Sequence, residues 1–174
     1  MKNINYLGKG RRQRQRLRDA AASIRSEPLS YDQDRWFSHT VPKSAVSAAD
    51  TIGDCGGLAC LAGHITWNEG YRPTGRYMSD GKVSKPRGKL KFETHELAAQ
   101  LVGLKADDIH TRGSWIPWLF GSHWRPKGWT PQLGYRAVAN RVADALEALA
   151  DGASLEDVSM TDAETTAARR KVRL

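Results

Sequence analysis

DCGGLACLAGH, residues 54–64, is the stretch on which the reading of the fold turns. It follows a small, polar segment (43–53) and opens the first long apolar, Gly/Ala-rich run of the chain. Asp54 or Cys55 suits a helix N-cap, because a short polar side chain there accepts from N–H groups that lack an intrahelical partner. Gly56 and Gly57 then fall in the first turn. Glycine is a poor helix former, so a pair of them implies close approach. The approaching group is either a packed element or an anionic ligand drawn to bare N–H groups and the helix dipole. Leu58, Leu61, Ala62 and Ile65 follow at i, i+3, i+4 and i+7 and make a core face. Cys60, His64 and Trp67 share a neighbouring face, and Ala59 and Gly63 a narrow third. A helix apolar nearly all round is a buried one. The expected fold is therefore mainly α, a compact helical domain around this buried central helix, with a small irregular hairpin or loop region.

Toward the N-terminus the chain is strongly basic. Residues 2–18 carry Lys2, Lys9, Arg11, Arg12, Arg14, Arg16 and Arg18 and no acid. Arg11 to Arg25 fits a helix with Leu17, Ala21 and Ile24 facing inward. Its cations, Arg11, Arg12, Arg14 and Arg18, suit phosphates, and a solvated leader is the competing reading. Pro28 closes that helix, and Trp36 with Phe37 supplies an apolar anchor.

Toward the C-terminus, residues 68–92 read as a loop or irregular hairpin, punctuated by Gly70, Gly75, Gly81, Gly88, Pro73 and Pro86. Arg72, Arg76, Lys82, Lys85, Arg87, Lys89 and Lys91 face only Glu69 and Asp80 in charge, with Tyr71 and Tyr77 interleaved. Rings stack on bases while cations take phosphates, so this composition suits nucleotides. A second helix is expected over 92–104, with Thr94 as N-cap, Leu97, Ala98, Leu101 and Val102 inward and Gly103 as stop. A short helix is expected near 106–110. Residues 115–129 hold Trp115, Trp118, Trp124 and Trp129, as a cap over the core or the wall of a pocket. Thr130-Pro131 signals a helix start. The stripe Tyr135, Val138, Val142, Ala145 and Leu149 continues that helix to Gly152. The organisation expected is a basic flexible arm over 1–16, one globular helical domain over 17–152 and a polar tail over 153–174 that opens with a short helix.

Composition sets the outer bounds. The chain has 174 residues, a net charge of +8, 40% hydrophobic residues and six Trp, enough for one real core. No run of 18 apolar residues occurs, so no membrane span is expected. The basic N-terminus lacks an apolar signal core. Two cysteines five apart do not make a disulfide framework, which points to a reducing cytoplasm. The positive charge favours polyanionic partners.

The order SYDQDRW, CGGLACLAGH, LAAQLVGL and WLF, followed by an amphipathic helix, resembles a family of uncharacterised small bacterial and phage proteins. Their hallmark is a Cys-Gly-Thr-x-x-Cys-x-Ala-Gly segment. The resemblance spans roughly residues 17–150 and departs at Gly57, where the family has Thr. It implies a phage-borne regulatory or counter-defence role and transfers no catalytic residue.

The residues themselves admit several chemistries. Zinc would use Cys55, Cys60 and His64, with a fourth ligand from His39, His95, His110 or His123, but Cys55 and Cys60 lack the close spacing of metal pairs. Cys55 at a helix start would be an activated nucleophile if a histidine served as base. No Walker loop, Rossmann glycine pattern or paired-carboxylate motif occurs. Binding without turnover is the expected class, with no cofactor and no metal. The ligand is phosphate-bearing, either nucleic acid at Arg11, Arg12, Arg14, Arg18, Lys82, Lys85 and Arg87, or a nucleotide signal. The nucleotide would meet Cys55, Gly56, Gly57, Arg72, Arg76, Tyr77, Trp124 and Arg125. A protein–protein inhibitor of a host target, anchored by the Trp-rich 115–129 segment, is the alternative from another class.

Overall fold

RRQRQRLRDAAASIRS places its apolar residues at helical spacing, and Leu17, Ala20, Ala21 and Ile24 are buried along one side of the resulting helix α1, Arg11–Ser26. The computed structural model describes residues 9–32, 52, 59–74, 81–104, 119–120 and 124–170. Within them follow a 3-10 turn (Pro28–Ser30), α2 (Leu61–Asn68), β1 (Arg72–Pro73), β2 (Lys82–Ser84), β3 (Phe92–Glu93), α3 (Thr94–Val102), α4 (Tyr135–Ala150), α5 (Leu155–Val158) and α6 (Asp162–Arg170). The fold is mainly α with one small sheet, as the sequence leads one to expect.

The most extensive packing joins α1 to α4. α4 buries Ala139, Val142, Ala143, Leu146 and Leu149. The two helices run antiparallel, because Arg18 pairs with Asp151 at 2.7 Å while the later Arg25 pairs with the earlier Asp144 at 2.8 Å and Glu147 at 2.6 Å. These pairs are largely solvated, so they set register more than stability. Glu147 is held below the usual carboxylate range by its hydrogen bond from Arg25.

Helix α2 packs against both α1 and α3. Every residue from Leu61 to Trp67 is buried, which is the all-round burial its composition implies. Its start differs from the expectation at Asp54 or Cys55. Ala59 N–H donates to the Ser30 carbonyl at 2.8 Å and Asp32 N–H to the Ala59 carbonyl at 2.9 Å, forming a parallel bridge between Tyr31 and Ala59. Backbone held in that bridge is extended, Cys60 at ψ 178 becomes the N-cap, and the helix begins at Leu61. Residues 54–58 lie outside those described.

The strands form an antiparallel sheet in the order β1-β2-β3, with Arg72 opposite Ser84 and Val83 opposite both Pro73 and Phe92. Val83 is fully buried in a second small core with Trp67 and Leu97, flanked by Tyr71 and Phe92 in edge-to-face contact at 5.9 Å. The expected hairpin of the 68–92 region is thus a real sheet that leans on α2 and α3. Thr94 lies in the first turn of α3, with Glu93 as N-cap, and its hydroxyl donates to the Gly81 carbonyl.

Two C-terminal expectations are corrected. α4 starts at Tyr135, five residues after Thr130, because Pro131-Gln132 turn the chain with Leu133 N–H bonded to the Thr130 carbonyl at 3.1 Å. Tyr135 therefore opens the helix and is 72% exposed rather than part of the buried stripe. Beyond Gly152, Leu155 and Val158 return to the main core, so the polar stretch contains a docked element as well as α6. The helix expected near 106–110 lies outside the described residues.

Gly103 ends α3 at φ 91, and a Cβ there would collide with the amide of Gln13 on α1. Gly103→Ala is expected to destabilise by about 1–2 kcal/mol, the cost of a left-handed non-glycine residue. Urea unfolding of the pair of proteins checks this, and equal midpoints would remove the glycine's special role.

Candidate functional site: a basic surface and an aromatic cleft

Glu69 caps the C-terminal end of α2 and gathers cations from two distant parts of the chain. Arg16 of α1 grips its carboxylate with two hydrogen bonds, 2.8 Å from Nε and 3.0 Å from Nη2, while its third donor reaches the Leu101 carbonyl at 2.8 Å. Arg12 stands 3.7 Å away. From the sheet, the Lys85 ammonium donates to the Glu69 backbone carbonyl and lies 4.4 Å over the Tyr71 ring. The hydrogen bonds from Arg16 hold the Glu69 carboxyl below the ordinary range, and the nearby charges of Arg16, Arg12 and Lys85 add to this.

The result is one basic surface built from α1's first turns and the β2–β3 connection. Residues 85–91, KPRGKLK, are exposed throughout. Pro86 and Arg87 turn the loop, with Gly88 N–H bonded to the Lys85 carbonyl at 2.8 Å and Arg87 at φ 63. Arg87, Lys89 and Lys91 are exposed in this loop, and Leu90 is 72% exposed among them. Lys82 is partly offset by Glu93 at 3.5 Å. Of the cations singled out in the sequence, Arg12 lies on this side, Arg14 donates to the Lys9 carbonyl at 2.7 Å, and Arg11, seven residues before Arg18, shares that residue's side of α1. Arg18 instead reaches across to Asp151 beyond α4.

Of the nucleotide-site candidates among the described residues, Arg72 lies apart from Trp124 and Arg125. Arg72 lies flat over Trp67 at 3.9 Å and donates to the Trp67 and Tyr71 carbonyls at 3.1 and 2.9 Å, which fastens the sheet to α2. Cys55, Gly56, Gly57, Arg76 and Tyr77 lie outside the described residues, as do Trp115 and Trp118. Trp124 is buried, its indole N–H donating to Ser159 Oγ at 2.9 Å. That ring belongs to the core and is not an exposed anchor for a partner. Arg125 adjoins it, bonded to the Trp124 carbonyl at 2.8 Å and 4.9 Å over the Trp129 ring.

Trp124 and Arg125 do border a cleft of about 370 Å³. Its other principal walls are Tyr31, Asp32, Trp129 and Tyr135, with Val138 and Val142 at the α4 side. Backbone pairing fixes the Trp124–Lys127 rim: Lys127 N–H bonds the Val158 carbonyl and Met160 N–H the Arg125 carbonyl, each at 2.9 Å. The docked α5 segment is thus what positions Arg125.

Cys60 and His64 are both fully buried. Burial pushes the Cys60 thiol up to about 12, outweighing the backbone groups of Gly63 and Ala62 at the helix start. It is a protonated, inert thiol at neutral pH. Burial likewise pushes the His64 imidazole down to about 4, against a smaller opposing effect from the Ser30 backbone. His64 Nδ1 stands 3.1 Å from Ser23 Oγ, and its ring lies 6.2 Å from that of Tyr31. Among the described residues no group of three or more His, Cys, Asp or Glu side chains is placed to hold a metal ion. Also among them, no helix is long and apolar enough to cross a membrane.

Sequence reasoning did not single out Glu69, Tyr31, Asp32 or Tyr135 as site residues. Glu69 had a signal, as one of only two acids among the cations of residues 68–92. The cleft had a partial signal in the Trp-rich segment, but its other wall, Tyr31 and Asp32, comes from a distant part of the chain. No protein-family model, curated protein or solved structure matches the chain.

Proposed function

We propose that the protein binds nucleic acid through the basic surface around Glu69, holding backbone phosphates without chemical turnover. One observation carries this reading: two basic segments more than fifty residues apart meet on one residue, Glu69, Arg16 at its carboxylate and Lys85 at its backbone carbonyl. The two internal acceptors at Glu69 hold Arg16 and Lys85 in place and leave Arg12, Arg87, Lys89 and Lys91 on the outside. Such a surface contacts phosphates and sugars, which positions a polymer without reading its sequence. Tyr71 lies under Lys85, and duplex, held by its phosphates, is the favoured form. A phage-borne regulatory role, as the resemblance implies, is compatible with such sequence-tolerant binding.

The test is a salt titration of fluorescein-labelled duplex DNA binding. Each cation that meets a phosphate contributes about −0.9 to the log–log salt slope. Combined Arg87→Ala, Lys89→Ala and Lys91→Ala is expected to flatten the slope by about two to three units. Arg12→Ala is expected to flatten it by about one, whereas Arg18→Ala leaves it unchanged. A full chain that ignores duplex DNA and RNA at low salt, or a loop variant with the parental slope, overturns the proposal.

A further inference from the structure

The cleft between Tyr31, Arg125 and the start of α4 has no part in the basic surface, and its chemistry is different. Its size, about 370 Å³, falls at the lower end of small-ligand sites, too small for a duplex and right for one nucleotide. Arg125 over Trp129 offers a positive charge and a π surface within reach of a single molecule. Tyr135 adds a second ring, 72% exposed although it sits beside the core helix stripe.

The start of α4 is open toward this space. Gly134 has φ −66 and ψ 158, a conformation any residue adopts, and a Cβ placed there meets nothing within 4 Å. Neither turn geometry nor packing calls for a glycine. Its bareness leaves the Tyr135 and Arg136 N–H groups without an acceptor among the described residues, and the first turn carries no acid. Asp32 also lines the cleft, beside the Tyr31–Ala59 bridge. A carboxylate repels a second anion and accepts from paired donors, so it orients the occupant: donors toward Asp32, negative charge toward Arg125 and α4.

We infer that this cleft is a second binding site, for a nucleoside monophosphate. Its base packs on Trp129 and Tyr135, its phosphate lies at Arg125 and the start of α4, and two adjacent donors face Asp32. The donors are the guanine N1–H and N2–H edge or the ribose diol, which share the same pairing with a carboxylate. Neither ring stacking nor phosphate alone satisfies the site.

Isothermal titration of the full chain with GMP, dGMP, AMP, guanosine and inorganic phosphate tests this. GMP is expected to bind at least tenfold tighter than guanosine or phosphate. Binding of GMP and dGMP but not AMP assigns the guanine edge to Asp32. Binding of GMP and AMP but not dGMP assigns the diol. Tyr135→Ala is expected to weaken GMP about tenfold or more, as loss of a stacking ring does. Gly134→Asp puts a capping carboxylate where the phosphate belongs, so it is expected to abolish GMP binding while the melting temperature stays level or rises. That opposite pairing separates a lost site from a lost fold. The triple loop variant, which disables the basic surface, is expected to keep GMP affinity within about twofold, as for distant independent sites. No binding of any nucleotide at millimolar concentration overturns the inference. So does GMP binding that survives both cleft variants or is lost with the loop.

Discussion

Leu61→Ala is expected to destabilise the protein by about 2–5 kcal/mol, the range for truncating a buried leucine. Leu61 is fully buried as the first residue of α2, where the extended backbone of Ala59 and Cys60 enters the helix. It belongs to the main core shared with Leu17, Ile24 and Leu146, so the lost atoms leave a hole bordered by several elements. Two features argue for the upper half of the range. α2 has only eight residues and buries Leu61 to Trp67 on all sides, so it cannot tilt to close a cavity without disturbing α1 and α3 together. Its start is also fixed by the Tyr31–Ala59 bridge, which resists collapse from below. Chemical denaturation with unchanged m-value is the measurement. A loss under about half a kcal/mol, typical of surface positions, would show that α2 is peripheral and that α1 and α4 alone carry the fold.

That outcome bears on how much of the fold is legible in the chain. The periodic faces of α1, α3 and most of α4 can be read directly, because Leu17, Ala21 and Ile24, or Leu97, Ala98 and Val102, repeat at the helical period and are buried. Gly103 ends α3 in a left-handed conformation for the reason a sequence reader assigns. The failures are at helix starts. Asp54 and Thr130 are good caps by local chemistry, yet α2 and α4 begin at Leu61 and Tyr135 under Cys60 and Gly134, neither of which caps with its side chain. At α2 a long-range bridge to Tyr31 overrides local propensity. At α4 the Pro131 turn does so. Neither competitor shows in a local window of sequence.

The site follows the same division. Charge density is a local property, so the cations of the basic surface are visible at once, but their union at Glu69 depends on where α1 and the sheet are placed. The bond from Arg16 to Glu69 crosses 53 positions, beyond any spacing rule. The cleft is less legible still. Tyr31, Arg125 and Tyr135 lie in separate segments, and the α5 docking that aligns Arg125 comes from a stretch whose polarity suggests a tail. Buried Leu155 and Val158 are the two residues that contradict that polarity.

Acidification from pH 6.5 toward 4 is expected to remove about 3 kcal/mol of stability through His64. Its imidazole is fully buried between α1 and the Tyr31 ring, and burial pushes it from 6.5 down to about 4. Between those values the unfolded chain binds a proton that the folded chain refuses, so stability rises with pH across the window and falls as pH drops through it. At about 1.4 kcal/mol per pH unit of separation, roughly 2–3 kcal/mol is gone by pH 4.5. The carboxylates act lower down. Arg16 holds Glu69 and Arg25 holds Glu147 below 4.5, so their contribution is present above that value and is lost as pH falls through their depressed range. Cys60 acts at the other end: raised from 9.0 to about 12, it keeps its stabilising effect below pH 9 and loses it as pH rises toward 12. His64→Gln isolates the first window, because its amide does not titrate and can still bond Ser23. Urea midpoints at intervals from pH 7 to 4.5 should decline for the parent protein and stay nearly level for the variant. Parallel declines in the two proteins would mean that His64 ionises as readily folded as unfolded, which a fully buried ring between Ser23 and Tyr31 does not allow.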